Sequence, residues 1–255
     1  NSEDVDHAVT KAREAFDQGH WSKLHPSERK EGLIKLSKLI KRNIHELAVM
    51  ESIDSGKPIR DCETIDLPET IACLLWHAEA VDKIYDQTAP SGEDALAVIV
   101  REPIGVVGCV LPWNFPLLMM AWKIAPALAA GNSVIVKPAE QTSLTALRLA
   151  ELAIDAGIPR GVLNVIPGMG PDVGEPIGLH PDVDMVSFTG STRAGIAISK
   201  AAAETLKRVS LELGGKGANI VFADAGDDAV QRGARHCFEN TGQSCNAPTR
   251  MLVER

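Results

Sequence analysis

The sequence has few aromatic residues and fewer cationic than anionic ones. Of its 255 residues, 4% are Phe, Trp or Tyr, and 26 Lys and Arg stand against 34 Asp and Glu, which gives a formal net charge of -8. Proteins bind nucleic acids through clusters of Lys and Arg, with aromatic side chains that stack on the bases. The sequence contains no such cluster, so nucleic acid is not an expected partner.

Long apolar runs are also missing. The longest one, near residues 121–130, contains Lys123 and Pro126, whereas a helix that crosses a bilayer needs about 20 apolar residues. The chain opens without a signal-peptide pattern, so we expect no membrane partner and a cytoplasmic location. Because it begins with a helix cap at Asn1 and ends in a strand-like segment at 251–255, we expect it to be part of a longer protein.

Paired cysteines and metal-binding patterns are absent from the sequence. The cysteines are odd in number, widely spaced and include no C-x-x-C pair. This argues against a disulfide framework and against a zinc site, and it predicts reduced thiols and no metal. The five positions are Cys62, Cys73, Cys109, Cys237 and Cys245.

The order of the apolar patterns predicts an α/β fold. Helical spacing occupies residues 4–50 and 66–86, and short β-branched runs then alternate with helical segments. The predicted strands of this part are 104–111, 133–137, 162–166, 185–188 and 208–213. Such alternation indicates a Rossmann-like parallel sheet with helices on both faces, which binds ligands at the carboxyl ends of its strands. After Gly214 and Gly215, a strand at 219–222 and a following helix predict the start of a second α/β domain.

Three polar side chains in this pattern could carry chemistry. Cys245 lies among small and polar residues, and cysteine is a strong nucleophile once its surroundings or a base ionise it. Glu212 ends a strand among apolar neighbours, where partial desolvation would suit a general base. Asn114 follows a buried strand, and its amide could donate to a developing oxyanion. The residues alone leave open a structural cysteine, an outward-facing glutamate and an asparagine that caps the next helix.

Two glycine clusters are candidates for binding a dinucleotide pyrophosphate. In residues 168–174 the third glycine comes one residue late for the dinucleotide fingerprint, and no acidic residue is well placed about 20 residues further on. Residues 188–195 join a predicted strand to a helix, so free N–H groups at the helix start could face a phosphate. The second cluster is the better candidate.

Five motifs occur together in a specific order. They are Pro112-Trp113-Asn114-Phe115-Pro116, Lys137-Pro138-Ala139-Glu140, Phe188-Thr189-Gly190-Ser191-Thr192, Leu211-Glu212-Leu213-Gly214-Gly215-Lys216 and Gly242-Gln243-Ser244-Cys245. The set resembles the aldehyde dehydrogenase superfamily, and the resemblance covers essentially the whole chain. Residues 76–83 and 100–149 are most similar to bacterial dehydrogenases of aminobutyraldehyde, γ-glutamyl-aminobutyraldehyde or guanidinobutyraldehyde.

The resemblance implies that an aldehyde is oxidised to a carboxylic acid in two covalent steps. Cys245 would add to the aldehyde, and the Asn114 amide and the backbone N–H of Cys245 would stabilise the oxyanion of the resulting thiohemiacetal. Hydride transfer to a nicotinamide would leave a thioester. Glu212 would then activate the water that hydrolyses it.

The resemblance also implies NAD as the cofactor. Lys137 and Glu140 match residues that bind the adenosine ribose, and a carboxylate at residue 140 would accept from a ribose 2′-hydroxyl but repel a 2′-phosphate, which favours NAD over NADP. The other positions matched to the cofactor site are Leu111, Pro112, Trp113, Gly170, Gly174, Phe188, Thr189, Gly190, Ser191, Gly195, Leu213 and Gly214. The positions matched to the aldehyde tunnel are Phe115, Met119 and Trp122.

The implied domain organisation has three parts. Residues 1–84 and 104–214 would form the NAD-binding domain, 85–103 part of an oligomerisation hairpin, and 215–255 the beginning of the catalytic domain. The intact protein is expected to be a homodimer or homotetramer. Because the family's later glutamate and the second wall of its tunnel lie beyond this sequence, the 255 residues alone are not expected to turn over.

Other functions remain open at this point. A dehydrogenase that passes its thioester to coenzyme A would have no use for a water-activating base at Glu212. A non-catalytic dinucleotide-binding protein would need neither Cys245 nor Glu212. A cysteine protease based on His236 is disfavoured, because that histidine lies in a predicted helix beside Cys237 with no evident orienting partner.

Overall fold

The computed structural model describes residues 1–254. Its strands are β1 (Gln87–Ala89), β2 (Ala97–Ile99), β3 (Val106–Val110), β4 (Ser133–Lys137), β5 (Leu163–Val165), β6 (Met185–Gly190), β7 (Arg208–Leu213), β8 (Ala218–Val221) and β9 (Arg250–Val253). Its α-helices are α1 (Ser2–Asp17), α2 (Pro26–Arg42), α3 (Ile44–Ser55), α4 (Ile59–Asp61), α5 (Leu67–Ala80), α6 (Pro116–Ala129), α7 (Leu144–Asp155), α8 (Glu175–Leu179), α9 (Thr192–Ala203) and α10 (Ala229–Phe238).

Short irregular helical turns complete these elements. The π-helical turns are Cys62–Asp66 and Gly170–Gly174, and the 3-10 turns are Val81–Lys83 and Glu239–Gly242. None of the helices within residues 1–254 is long and apolar enough to cross a membrane.

A five-stranded parallel sheet in the order β5-β4-β3-β6-β7 forms the centre of the fold. Alternate residues of a strand point to opposite faces, and the core divides accordingly. Val107 and Cys109 of β3 belong to one apolar cluster, which includes residues of α2, α5, α6 and α7. Val106 and Val110 belong to a second cluster, which includes residues of α1 and α9. The predicted α/β fold, a parallel sheet with helices on both faces, is therefore confirmed.

The strand boundaries follow the prediction to within two residues at each end. β4 and β7 have the predicted bounds, whereas the strand predicted at 104–111 is shorter and begins at Val106. The backbone N–H groups of Ile104 and Gly105 both donate to the side-chain oxygen of Asn132, at 2.7 and 3.0 Å. The N–H groups of these two residues are therefore bound by a side chain, while the carbonyl oxygen of Gly105 already accepts from the backbone N–H of Ser133 in β4 at 3.1 Å.

The strand register brings the carboxyl ends of the central strands to one edge of the sheet. Val110 at the end of β3 pairs with Lys137 of β4 and with Phe188 of β6. Thr189 of β6 pairs with Glu212 of β7. The loops that follow these strands therefore begin side by side, as the sequence predicted for a ligand site.

Two small sheets lie outside the central one. β1 and β2 form an antiparallel pair inside residues 85–103, and β8 and β9 form a parallel pair inside residues 215–255. The assignment of the first to an oligomerisation hairpin and of the second to a catalytic domain stays a prediction, as do the domain boundaries.

Candidate active site

The loop after β3 and the loop that carries Cys245 are joined by hydrogen bonds. The side-chain nitrogen of Asn114 donates to the carbonyl oxygen of Gln243 at 2.8 Å. The side-chain nitrogen of Asn240 donates to the carbonyl oxygens of Asn114, at 3.0 Å, and of Gln243, at 3.1 Å. Two asparagine amides thus connect the loop after β3 with residues 240–243, which directly precede Cys245 in the chain.

The chain before Cys245 has an unusual backbone. Asn240, Thr241 and Gly242 have φ angles of 51°, 57° and 77°, in the left-handed region that side-chain-bearing residues other than Asn and Asp seldom adopt. Strained residues of this kind persist where surrounding contacts hold them, and they are concentrated at functional sites. The Asn240–Asn114 hydrogen bond is one such contact.

Cys245 differs from the other cysteines in its surroundings. It is exposed, and its carbonyl oxygen lies 3.7 Å from the position that a Cβ atom would take on Gly215, just after β7. Cys62 and Cys109 are buried, and burial raises the pKa of each thiol to about 12. Burial raises the pKa of Cys73 to about 11. These three thiols are protonated at neutral pH. Cys237 is partly buried, so Cys245 is the one exposed cysteine among the described residues and the better candidate for a nucleophile.

Glu212 borders a small polar cavity between α6 and the sheet. The cavity has a volume of about 120 Å³. Its lining residues are Met119, Trp122, Lys123, Ser187, Thr189, Ser210 and Glu212. Glu212 itself is exposed, so the expected partial desolvation by its apolar neighbours is wrong. The reason is that β7 is an edge strand, with a neighbour on one side.

Lys123 is a residue of this cavity that sequence reasoning missed. It is 7% exposed, and its ammonium group donates to the hydroxyl of Ser187 at 3.0 Å. Burial lowers the pKa of Lys123, while the neighbouring Cys109, if ionised, and the Glu212 carboxylate act in the opposite direction. The available signal was a single cation within an apolar run of α6, because a buried charge needs a partner. The hydroxyl of Thr189 is also buried here and has no hydrogen-bond partner within residues 1–254.

Of the three predicted tunnel residues, two line this cavity. Met119 is buried and Trp122 is half exposed, and both line it. Phe115 is not part of the lining, and its ring instead lies against the ammonium group of Lys57, at 4.1 Å from the ring centroid. Glu212 and two predicted substrate-contacting residues are therefore brought together, while Phe115 contacts a buried charge beneath the loop.

Lys137 and Glu140 form an ion pair after β4. Their nitrogen and oxygen atoms are 3.1 Å apart, and Lys137 is buried whereas the Glu140 side chain is 37% exposed. A hydrogen bond from its own backbone N–H and the bond from Lys137 lower the pKa of Glu140. The carboxylate is therefore ionised at neutral pH and accessible to a ligand.

The junction of β6 and α9 brings together several residues predicted to bind the cofactor. The side-chain oxygen of Ser191 accepts from the backbone N–H of Ala194 at 3.2 Å and caps α9. A Cβ atom on Gly195 would lie 2.8 Å from the Leu213 side chain, and one on Gly190 would lie 2.7 Å from the Phe188 ring. A larger residue at position 195 would displace the end of the Leu213 side chain of β7, and one at position 190 would displace the Phe188 ring within β6.

The remaining predicted cofactor residues lie along the same side of the sheet or beyond it. Leu111 and Pro112 are buried directly after β3, and Trp113 is 46% exposed. Gly214 follows β7. Gly170 and Gly174 are the ends of a π-helical turn that leads into α8, and the binding roles of all these residues stay predictions.

The lining of a larger cavity includes Asn246, the residue after Cys245. This cavity has a volume of about 660 Å³ and is bordered by β8 and α10, with His236 in its lining. No hydrogen bond joins His236 to Cys245 in the part of the chain that the structure describes. The arrangement offers no support for a cysteine protease site.

Comparison with known proteins agrees with the five motifs. The model of the aldehyde dehydrogenase family matches residues 1–255. An aminoacetaldehyde dehydrogenase of Pseudomonas aeruginosa is 61% identical over 256 residues, which cover 99% of this chain and 52% of the relative. The NADP/NAD-dependent aldehyde dehydrogenase PuuC of Escherichia coli is 49% identical over 256 residues, with the same two shares.

A solved structure gives the same result for the fold. An indole-3-acetaldehyde dehydrogenase in complex with NAD+ superposes with a TM-score of 0.98 at 50% sequence identity, covering 100% of this chain and 52% of that one. The chain thus spans about half the length of the relatives that it matches. Since the family model covers every residue of the sequence, the chain belongs to the aldehyde dehydrogenase family.

Proposed function

We propose that the complete protein oxidises an aldehyde to its carboxylic acid, with NAD+ as the hydride acceptor and Cys245 as the nucleophile. The observation that carries the proposal is the hydrogen bond from the Asn114 amide to Gln243, two residues before Cys245. It ties the proposed oxyanion donor to the loop that carries the exposed thiol of Cys245. Family membership supports the same assignment.

In the first step the sulfur of Cys245 bonds to the aldehyde carbon. The electron pair of the carbonyl moves to its oxygen, and that oxygen needs donors preorganised around it. A side-chain amide has two N–H bonds, so Asn114 keeps one for the oxyanion while the other remains on Gln243. The backbone N–H of Cys245 is the second donor.

NAD+, when bound, supplies the acceptor for the hydride that leaves the aldehyde carbon. The residues at the edge of the sheet fit this cofactor. The ionised and accessible Glu140 carboxylate can accept from a ribose hydroxyl, and the capped N-terminus of α9 after Ser191 can face a pyrophosphate.

In the last step water attacks the thioester and Glu212 takes up a proton. The carboxylate borders a polar cavity that also holds Lys123 and the unpaired Thr189 hydroxyl. These groups can orient a water molecule next to the base. The carboxylic acid then leaves, and the Cys245 sulfur is restored.

The substrate that we propose is a small aldehyde with an ω-amino or guanidino group. The support is the aminoacetaldehyde dehydrogenase of P. aeruginosa, at 61% identity. A transfer of the acyl group to coenzyme A is the alternative, and the polar cavity at Glu212 favours water as the acceptor.

We further propose a cytoplasmic homodimer or homotetramer that contains the three domains outlined from the sequence. Val98 and Ile99 of β2 are 50% and 53% accessible, and Leu96, just before this strand, is 80% accessible. An exposed apolar strand pair of this kind is suited to pairing with another subunit.

The central test is the formation of NADH by the complete protein. A panel of ω-amino, guanidino, succinate-type and simple aldehydes is assayed with NAD+, and Cys245→Ala is expected to abolish the signal for every one of them. Cys237→Ala on α10 is the matched control. Retained NADH formation by Cys245→Ala refutes the nucleophile, and dependence of turnover on coenzyme A supports the alternative.

A second variant separates the two steps. Glu212→Gln is expected to keep a first burst of NADH while steady turnover falls by about 100-fold or more, which is within the range of general-base effects. An unchanged steady rate removes Glu212 as the base.

A further inference from the structure

Helix α6, which follows the Asn114 loop, begins without a local cap. Phe115 precedes its first turn and has no side-chain group that could accept a hydrogen bond, and Pro116 at the first position has no N–H. The first free donor is the backbone N–H of Leu117. It donates at 3.0 Å to a carboxylate oxygen of Glu51, a residue 66 positions earlier in the sequence.

The second oxygen of Glu51 contacts another helix. It accepts at 2.8 Å from the hydroxyl of Thr145, in the first turn of α7. Glu51 is fully buried in α3. One carboxylate thus connects the first turns of the two helices that follow β3 and β4, where a negative charge is favoured by the helix dipoles.

A buried cation lies beneath the same loop. Lys57 is 4% exposed, and its ammonium group is paired with Asp66, which is 1% exposed. The ammonium group also lies 4.1 Å from the centroid of the Phe115 ring, within the range of a cation–π contact. Both elements that follow Asn114 are therefore fixed. The Phe115 ring contacts the ammonium group of Lys57, and the first turn of α6 is hydrogen-bonded to Glu51.

We propose that Glu51 is a positioning residue that fixes the oxyanion donor Asn114 through the first turn of α6, assisted by the contact of Lys57 with Phe115. This inference rests on the proposed function. The route is short, since Leu117, which Glu51 binds, follows Asn114 by three positions and is bonded to it through Phe115 and Pro116.

The contacts of Glu51 indicate that it does more than cap helix α6. A Ser, Thr, Asp or Asn at the position of Phe115 would cap α6 locally, with no need for a buried charge. Burying an ionisable carboxyl is costly unless its hydrogen bonds are satisfied, and burial here raises the pKa of Glu51 to about 7. A local cap would bind only α6. The Glu51 carboxylate, which belongs to α3, connects the start of α6 to both α3 and α7.

The test is a double-mutant cycle in the complete protein. Glu51→Ala is expected to lower kcat by at least about tenfold, with little change in KM for NAD+, because a small displacement of a catalytic group lowers the rate strongly. Glu51→Gln, which keeps an acceptor for Leu117, should recover most of kcat. Glu46→Ala, a more exposed carboxylate on the same helix that pairs with Arg148, is the control and should leave kcat unchanged.

The decisive measurement is the same substitution in an Asn114→Ala background. If Glu51 acts through Asn114, Glu51→Ala has a less than about twofold effect there, because residues that act as one unit are not additive. An equal loss in both backgrounds, or a lower melting temperature with unchanged kcat, overturns the inference. A wild-type protein that forms no NADH refutes the proposed function instead.

A second variant covers the case in which Glu51→Ala does not fold. Thr145→Val removes one of the two hydrogen bonds of Glu51 and leaves the carboxylate in place. We expect a smaller loss of kcat, about threefold, and the same disappearance of the effect in the Asn114→Ala background. A loss that persists unchanged in that background contradicts the proposal as firmly as in the first cycle.

Discussion

The side-chain nitrogen of Asn114 lies 2.8 Å from the carbonyl oxygen of Gln243, and this contact joins the loop after β3 to the loop of Cys245. The two residues are 129 positions apart. The bond uses one of the two amide protons and aims the side chain at the cysteine loop. The second proton is the one that we assign to the oxyanion.

Asn114→Ala is expected to slow the first burst of NADH by about 100-fold. Removal of one oxyanion donor costs about 10² to 10³ in rate in other enzymes, and here the loss falls on the step that forms the thiohemiacetal. Rapid-mixing measurements of the burst test this. Asn43→Ala, between α2 and α3, is the control, and a burst as fast as in the wild type would exclude Asn114 from that step.

The five motifs and the alternation of strands and helices could be predicted from the sequence, because each depends on residues that are close together in the chain. The strand at 133–137 is a short apolar run, 134–136, between Ser133 and Lys137, and its bounds needed no tertiary information. The cysteine loop was recognised as a residue pattern. A motif does not tell which other loop it contacts. The hydrogen bond between Asn114 and Gln243 could therefore be found only in the folded structure.

Glu51 and Lys123 show why some residues around the site could not be identified from the sequence. Glu51 lies just beyond residues 4–50, where the helical spacing was found, although α3 extends to Ser55. Lys123 was noticed only as a charge that interrupts an apolar run. Glu51 finds its partners 66 and 94 positions later, at Leu117 and Thr145. Lys123 finds Ser187 after 64 positions. Sequence separations of this size carry no periodic signal.

Lys123→Met is expected to slow steady turnover about tenfold while the first NADH burst is retained. The substitution keeps much of the side-chain length but removes the ammonium group that binds Ser187 and lies near Glu212. Water in that cavity then loses a charged neighbour during thioester hydrolysis. Lys35→Met on the exposed face of α2 is the control. If the burst and the steady rate fall by the same factor, Lys123 does not act in the hydrolytic step.

Glu140→Ser is expected to raise the ratio of kcat/KM for NADP to kcat/KM for NAD by at least about tenfold. The ionised carboxylate would repel a 2′-phosphate and accept from a 2′-hydroxyl, and its pair with Lys137 keeps it ionised. Steady-state assays with both cofactors measure the ratio. Glu151→Ser on α7 serves as the control, and an unchanged ratio in Glu140→Ser would remove that carboxylate as the selective group.

The buried carboxyl of Glu51 makes a separate prediction for stability against pH. Burial raises its pKa from the usual 4.5 to about 7, although the hydrogen bonds from Leu117 and Thr145 act to lower it. The charge of Asp66 raises the pKa further and that of Lys57 lowers it. The folded state therefore binds this proton more tightly than the unfolded state. The stabilisation is fully present below about pH 4.5 and is lost as the pH rises through about 7.

From about pH 5 to about pH 8, this group alone lowers the free energy of unfolding by about 2–3 kcal/mol. Glu51→Gln has no titratable proton at this position. Between these two pH values, the free energy of unfolding of the variant should therefore fall by about 2–3 kcal/mol less than that of the wild type. Urea unfolding of the complete protein at the two pH values measures the difference, with Glu46→Gln as the control. Equal pH dependence in the wild type and in Glu51→Gln would mean that the carboxyl ionises in the folded protein as it does in the unfolded chain, and that the hydrogen bonds from Leu117 and Thr145 offset its burial.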